Sequence, residues 1–145
     1  MAAGETVVID LSDSLKFGRS HIPGAWFGVR ARLNKALTQI PPHRVVVLTS
    51  DNGDFAAVAW AEAQALSKVP VVVLSGGNQA WAQAGFPMAS GRDRMTTLND
   101  DVWYSPLERP DPMAAIHEYL RWEIGLNDHL AIERGVRFQR PITKS

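Results

Sequence analysis

Three continuous apolar runs, rich in β-branched residues, constrain the fold of this 145-residue chain more than any other feature. They lie at Thr6–Leu11, Arg44–Thr49 and Val69–Leu74. None of them alternates strictly between apolar and polar residues, as a strand with one solvated face would. Such runs are typical of strands that are buried on both faces, as in a parallel sheet covered by helices. The sequence therefore predicts a parallel sheet at the centre of the fold.

Helical patterns separate these runs. The Ala-rich stretch Phe55–Lys68 is long enough for a helix that crosses from one parallel strand to the next. Val29–Thr38 predicts a second helix, and Asn78–Ala84 predicts a short one, with Gly85 placed to end it. Strands that alternate with helices indicate an α/β domain.

The pattern changes after about residue 90. We predict an α/β domain over residues 1–90, an extended connector over 91–112, and a C-terminal helix and tail over 113–145 that pack on this domain or on a neighbouring one. Asp111 is a suitable N-cap for the helix, with Pro112 at its first position. Apolar residues recur there at helical spacing, namely Met113, Ile116, Leu120 and Ile124, flanked by Tyr119 and Trp122.

Composition excludes several classes of function. Basic and acidic residues number 15 each and are mixed along the chain, which argues against binding to nucleic acid. No apolar stretch reaches the length of a membrane span, and no secretory-signal pattern opens the chain, so we expect a cytoplasmic protein that binds no membrane. The chain has no cysteine, which excludes disulfides, thiolate catalysis and cysteine zinc sites. We expect no cofactor and no metal.

The stretch VVVLTSDNGDFAA, residues 45–57, joins a predicted strand to a predicted helix through a short polar loop. A turn of this kind can present several backbone N–H groups at a helix N-terminus, an arrangement that suits an anion. Two aspartates in the loop oppose the binding of an anion from outside. The candidate site residues are Ser50, Asp51, Asn52, Gly53, Asp54 and Phe55.

Two motifs resemble the signatures of the rhodanese family. Residues 18–25 read GRSHIPGA, and residues 74–87 read LSGGNQAWAQAGFP; Asp10, after the first strand, also fits the family pattern. Rhodaneses move a sulfane sulfur from a donor such as thiosulfate to a thiophilic acceptor. The resemblance implies a rhodanese-like α/β fold with a parallel sheet of about five strands and helices on both faces. It also implies a site at the strand–loop–helix turn, where active members carry a cysteine.

The resemblance fails at the residues that do the chemistry. It places Ser50 at the family's cysteine position and Gly53 at the loop glycine. Asp54 and Phe55 stand where a basic or hydroxyl residue commonly lines the pocket, and Ser12 stands where an arginine often follows the strand. The resemblance thus implies that the chain has no catalytic residue. We expect a structural or regulatory module of a sulfurtransferase-type protein, partnered by another rhodanese-like domain or another protein.

Two other functions stay open at this point, and so does the oligomeric state. Ser50 could act as the nucleophile of a hydrolase or transferase, with Asp51 and Asp54 as acid–base groups. Alternatively, the loop could sense a small anion. Against both, we interpret Ser50 as a small residue that fills the space of the cysteine, and Asp54 or Asn52 as a cap of the following helix. His21 is interpreted as a hydrogen-bonded structural residue.

Overall fold

The computed structural model describes residues 5–98, 101–102, 105, 107 and 111–132, with the backbone alone for 127–132. Its elements follow one another in an order in which strands alternate with helices. They are β1 (Thr6–Asp10), α1 (Ser14–Arg19), β2 (Trp26–Phe27), a 3₁₀ turn (Arg30–Arg32), α2 (Leu33–Gln39), β3 (Val45–Thr49), α3 (Asp54–Leu66), β4 (Val71–Val73), α4 (Gly77–Gln83) and α5 (Pro112–Ile132).

The strands form one parallel sheet in the order β2-β1-β3-β4. β1 and β3 pair along their whole lengths, from Thr6 opposite Val45 to Asp10 opposite Thr49. The predicted parallel α/β fold is confirmed, but the described residues form four strands rather than about five. Residues 94–96 run beside β2, yet they pair with it through a single bridge, Phe27 with Met95, and so do not constitute a strand.

The continuous apolar runs are explained by a core on each face of the sheet. Along β1, Val7 and Ile9 pack into one cluster with α2 and α3, whereas Val8 packs into the other cluster. β3 repeats the pattern, with Val46 on the first face and Val47 on the second. Because successive side chains of a strand point to opposite faces, a strand covered on both sides needs no polar alternation.

Two short elements were not predicted. α1 begins after Asp13, whose carboxylate accepts the backbone N–H of Lys16 at 2.8 Å. This cap was readable in the sequence, but six residues carry too little periodicity to indicate a helix. β2 has two residues, and pairing with β1 rather than sequence pattern fixes its conformation. The predicted helix over Val29–Thr38 divides into the 3₁₀ turn and α2.

Side chains of α3 contact the outer edge of β4. The Gln64 Oε1 atom accepts the backbone N–H of Val71 at 2.9 Å. The Trp60 indole N–H donates to the Val71 carbonyl at 2.8 Å. Both backbone groups of Val71 that point away from the neighbouring strand are therefore paired by a helix.

Contacts between Cα atoms divide the chain into two compact units, Met1–Val102 and Trp103–Ser145. The second unit contains α5, which begins at Pro112 as predicted, with the Asp111 carboxylate accepting the N–H of Ala114 at 3.0 Å. The domain limits at residues 90 and 112 stay predictions. The sequence also predicts that this helix ends near Glu133 with Gly135 as its cap, and both residues lie outside the described part of the chain. Within the described part, no helix has the length and apolar character that crossing a membrane requires.

Candidate functional site

The β3–α3 loop, Ser50–Gly53, lies at the carboxyl end of the sheet, where ligands of open α/β folds commonly bind. Gly53 precedes α3 and has φ = 87°, which L-residues with a side chain rarely adopt. A glycine in a turn of this kind predicts a positive φ, and the structure confirms it at Gly53. This conformation turns the chain sharply from the strand into the helix.

Ser50 is held by both its side chain and its backbone. Its side-chain oxygen accepts the backbone N–H of Ala56, in the first turn of α3, at 3.2 Å. Its carbonyl accepts the N–H of Asn78 at 2.9 Å. The residue is 2% exposed. The hydroxyl therefore serves as a hydrogen-bond acceptor for the helix N-terminus, and among the described residues no base contacts it.

Asn52, rather than Asp54, caps α3 with its side chain. The Asn52 amide oxygen accepts the backbone N–H of Asp54 at 3.2 Å, while its NH₂ group donates to the Asp54 carboxylate at 2.6 Å. Two N–H groups at the start of the helix are thus paired by Ser50 and Asn52, which are both neutral. The Asp54 carboxylate is occupied by an amide and is not directed at the helix N–H groups.

Asp51 forms an ion pair with Lys16 of α1. The two side chains meet at 2.9 Å, and Asp13 lies 3.7 Å from the same ammonium group. The hydrogen bond to Asp51, and then its charge, raise the pKa of Lys16 above the ordinary 10.5. Any stabilisation by this exposed pair is therefore complete below pH 10.5 and is lost as the pH rises through the higher folded value.

A cavity of about 690 Å³ opens beside the loop. Two basic side chains line this cavity, Lys16 and Arg30. Arg30 pairs with Glu62 of α3 at 3.0 Å. Asp101 also lines it and accepts the N–H of Ser14 at 2.7 Å. The lining comprises Leu11, Ser12, Asp13, Lys16, Gly28, Val29, Arg30, Ala31, Ser50, Asp51, Asn52, Phe55, Glu62 and Asp101. Four carboxylates thus surround two cations that are already paired, which disfavours an anionic ligand.

The first turn of α4 packs directly against the backbone of the β3–α3 loop. Gly77 packs so closely that a Cβ atom there would lie 2.1 Å from the Ser50 carbonyl oxygen and 2.4 Å from the Gly53 nitrogen. The backbone N–H of Gln79 donates to the Asp51 carbonyl at 2.9 Å. The glycines of the SGGN sequence therefore allow a helix N-terminus to lie against the loop backbone.

Asn78 joins the loop to the two central strands, a role that was not predicted. Its amide donates to the Asp10 carboxylate at 2.7 Å, and its amide oxygen accepts the Thr49 hydroxyl at 3.0 Å. The N–H of Ser12 also donates to Asp10, at 2.9 Å. Asp10 and Thr49 are fully buried. An amide residue directly after a glycine pair, at the start of a predicted short helix, was the signal in the sequence.

None of the histidines whose side chains are described lines the cavity. His21 is buried, stacks on Phe17 with ring centroids 4.0 Å apart, and shares a hydrogen bond of 2.7 Å with the Phe17 carbonyl. Its structural interpretation is confirmed. His43 contacts the Pro41 carbonyl, His117 belongs to α5 in the second unit, and the side chain of His129 is not among those described. Among the described residues, no three metal-ligating side chains cluster.

Comparisons with known proteins found one matching family model and several similar solved structures. The family model described as rhodanese-like domain matches residues 1–84. No curated protein matches the sequence. The crystal structure of thiosulfate sulfurtransferase from Pseudomonas aeruginosa is similar, with a TM-score of 0.78 and 36% identity, over 88% of this chain and 25% of that chain. This chain therefore spans about a quarter of that enzyme's length.

Two shorter structures are similar over the α/β domain. A protein of unknown function from Rhodopseudomonas palustris, described as a possible tyrosine phosphatase, has a TM-score of 0.51 and 27% identity, over 60% of this chain and 73% of that chain. A rhodanese-like domain from Anabaena sp. has a TM-score of 0.52 and 21% identity, over 58% of this chain and 98% of that chain. The Anabaena likeness concerns the fold alone.

Proposed function

Because this chain belongs to the rhodanese-like domain family, we propose that it is a module that transfers no sulfur by itself. It serves as a structural or regulatory part of a sulfurtransferase-type protein. The likeness to a thiosulfate sulfurtransferase, of which the matched part makes up only 25%, supports this proposal. Such a module would leave the sulfur-carrying step to a cysteine in a different domain.

The observation that carries the proposal is the content of the β3–α3 loop. The strand, the loop glycine and the helix N-terminus are in place, but position 50 is serine and the chain has no cysteine at all. A persulfide forms when a thiolate attacks the sulfane sulfur of a donor such as thiosulfate, breaks the sulfur–sulfur bond of the donor and releases sulfite, and an alcohol does not react in this way. The loop also provides its own acceptors for helix N–H groups, through Ser50 and Asn52. An anionic donor would therefore find no nucleophile in the loop. The N–H groups of Asp54 and Ala56, which could bind it, are already hydrogen-bonded to Asn52 and Ser50.

The geometry does not favour Ser50 as a nucleophile of another kind. An activated serine needs a base within hydrogen-bond reach and a group that orients that base. Here the hydroxyl oxygen accepts an N–H group, and Asp51 and Asp54 are engaged by Lys16 and Asn52. Each carboxylate is thus hydrogen-bonded to a group other than the Ser50 hydroxyl.

The direct test measures thiocyanate formed from thiosulfate and cyanide by the purified chain. We expect a rate equal to that of buffer, because the chain has no thiol to carry the sulfur. The Pseudomonas aeruginosa enzyme serves as the positive control under the same conditions. Turnover that scales with the concentration of the chain would contradict the proposed function.

The variant Ser50→Cys tests whether the loop has changed beyond the loss of its cysteine. Because Ser50 is 2% exposed and lies against α3, we expect the new thiol to react with Ellman's reagent at least about 100-fold more slowly than an exposed thiol. We also expect no thiocyanate formation. The matched control is Ala65→Cys, which puts a thiol on an exposed position of the same helix.

The absence of native cysteine lets each variant report one thiol. Suppose that Ser50→Cys reacted with Ellman's reagent as fast as Ala65→Cys and also turned over thiosulfate. The loop would then lack nothing but the cysteine for sulfur transfer. The idea that Ser50 and Asn52 have closed the loop would then be wrong, although the inactivity of the native chain would stand.

A further inference from the structure

A second cavity, of about 710 Å³, lies at the opposite end of β3 from Ser50. It opens between the C-terminal parts of α2 and α3, where the chain passes into β3 and β4. Residues of two segments, 34–43 and 66–69, line it, and we call it the α2–α3 cavity. Its volume is in the range of pockets that hold small molecules, and the proposed function does not explain it.

Most of the side chains that line the α2–α3 cavity are apolar. They are Leu37, Ile40, Pro41, Pro42, Leu66 and Val69. Leu66 is 47% exposed, although it ends a helix whose buried positions are all alanines. A ligand with an alkyl chain would remove such apolar surface from water, and this is the main favourable contribution that the cavity can make to binding.

Hydrogen bonds within each wall hold the shape of the cavity. On the α3 side, the Ser67 hydroxyl donates to the Val69 carbonyl at 2.8 Å and accepts the Val69 N–H at 3.2 Å. On the α2 side, the His43 Nδ1 atom lies 2.8 Å from the Pro41 carbonyl oxygen and donates to it, because a carbonyl only accepts. Pro41 and Pro42 also have fixed φ angles. The walls are thus ordered before a ligand arrives, which lowers the entropic cost of binding.

The titratable side chains that line the α2–α3 cavity, Lys68 and His43, are both basic. None of the described residues that line it is acidic, and no described carboxylate lies within salt-bridge distance of Lys68. The cavity beside Ser50 differs, because its cations Lys16 and Arg30 are already paired with carboxylates. An ammonium group without a carboxylate partner, beside an apolar cavity, is complementary to a ligand that combines an anionic group with an apolar chain.

We propose that the α2–α3 cavity binds a small aliphatic carboxylate. The alkyl chain of this ligand packs on the side chains of Leu37, Ile40 and Leu66, and its carboxylate pairs with the Lys68 ammonium group. The inference does not rest on the proposed function, since the cavity and the loop of Ser50 lie at opposite ends of β3.

The test titrates the ¹⁵N-labelled chain with sodium octanoate and follows its amide NMR signals. We expect saturable shifts that are largest within residues 34–43 and 66–69, with a Kd of about 1 mM or lower. Octylammonium has the same alkyl chain and the opposite charge, and should bind at least about tenfold more weakly. Butanoate should also bind at least about tenfold more weakly, because it lacks most of the CH₂ groups that the apolar wall covers.

The variant Lys68→Met tests where the carboxylate lies. It keeps an apolar stem and removes the charge at an exposed position, which the fold should tolerate. We expect the affinity for octanoate to fall at least about fivefold. Lys35→Met is the matched control, because Lys35 is exposed on α2 and does not line the cavity, and it should leave the affinity unchanged.

Four results would overturn the proposal. The absence of saturable shifts, or shifts spread over the whole surface, would exclude a site in the α2–α3 cavity. Shifts centred on residues 50–55 would place octanoate in the cavity beside Ser50 instead. Equal affinities for octanoate and octylammonium, or an unchanged affinity in Lys68→Met, would show that Lys68 does not select the ligand. The comparison of the two ligands needs no variant, and none of these results depends on whether the chain transfers sulfur.

Discussion

Replacing Gly77 with alanine is expected to lower the free energy of unfolding by about 4 kcal/mol, the range of the most damaging single substitutions. Gly77 has φ = 59°, which costs an L-residue energy even in open space. The new Cβ would also lie 2.1 Å from the Ser50 carbonyl oxygen and 2.8 Å from the Asn52 carbonyl carbon. These are backbone atoms, so the loop and α4 would have to separate.

Gly85→Ala is the matched control for this substitution. Gly85 has φ = 78°, close to the value at Gly77, but its Cβ would meet no atom within 4 Å. We expect a loss of only about 1–2 kcal/mol, from backbone strain alone. Urea midpoints of both variants, at equal slopes, give the comparison. Losses of equal size would mean that the close approach of α4 to the loop contributes nothing to stability.

Replacing Asn78 with alanine is expected to cost about 3 kcal/mol of unfolding free energy. The substitution removes the amide that donates to the Asp10 carboxylate and the oxygen that accepts the Thr49 hydroxyl. Asp10 and Thr49 are both fully buried, so neither can turn to water for a replacement. The loss should therefore exceed the net value of an ordinary hydrogen bond.

Two comparisons isolate this effect. Asn34→Ala, at an exposed position of α2, should change the unfolding free energy by less than about 0.5 kcal/mol. The double variant Asp10→Ala with Asn78→Ala should lose less unfolding free energy than the two single variants added together. Asn78→Ala alone leaves the buried Asp10 carboxylate without the amide that pairs with it, and Asp10→Ala removes that carboxylate. Thermal and urea unfolding of the unmodified chain, the three single variants (Asn34→Ala, Asn78→Ala and Asp10→Ala) and the double variant measure both quantities. Additive costs would show that the two side chains do not stabilise each other.

Much of the fold was readable in the sequence, because local physics determines it. A strand formed by a run such as Arg44–Thr49 has apolar side chains on both faces, and burial of both faces removes them from water. Such a run therefore indicates a parallel sheet covered on both faces, even when the order of the strands is unknown. The N-cap at Asp111 and the positive φ at Gly53 also follow from short patterns. By contrast, β2 has two residues and exists because β1 lies beside it. No local pattern specifies such an element.

The position of the strand–loop–helix turn was predicted, but the hydrogen bonds within it were not. The family resemblance places Ser50 at the turn, and the structure has the turn there. It could not show that Ser50 and Asn52, rather than a carboxylate, pair with the N–H groups of α3. The partners of the remaining charges come from distant parts of the chain, as with Lys16 and Asp51. Such pairs depend on how the loops meet in space, which spacing along the sequence does not encode.

The pairing of Val71 by two side chains of α3 has a consequence for how the protein behaves when crowded. An open strand edge is a template on which another chain can add a strand, and this is a common route to aggregation and domain swapping. Here Gln64 and Trp60 occupy the Val71 groups that an incoming strand would need. In a polypeptide that repeats similar domains, such an occupied edge would also discourage one repeat from exchanging strands with the next. Helix α3 thus blocks strand addition at Val71 on the edge of the sheet, in addition to covering the core on one face.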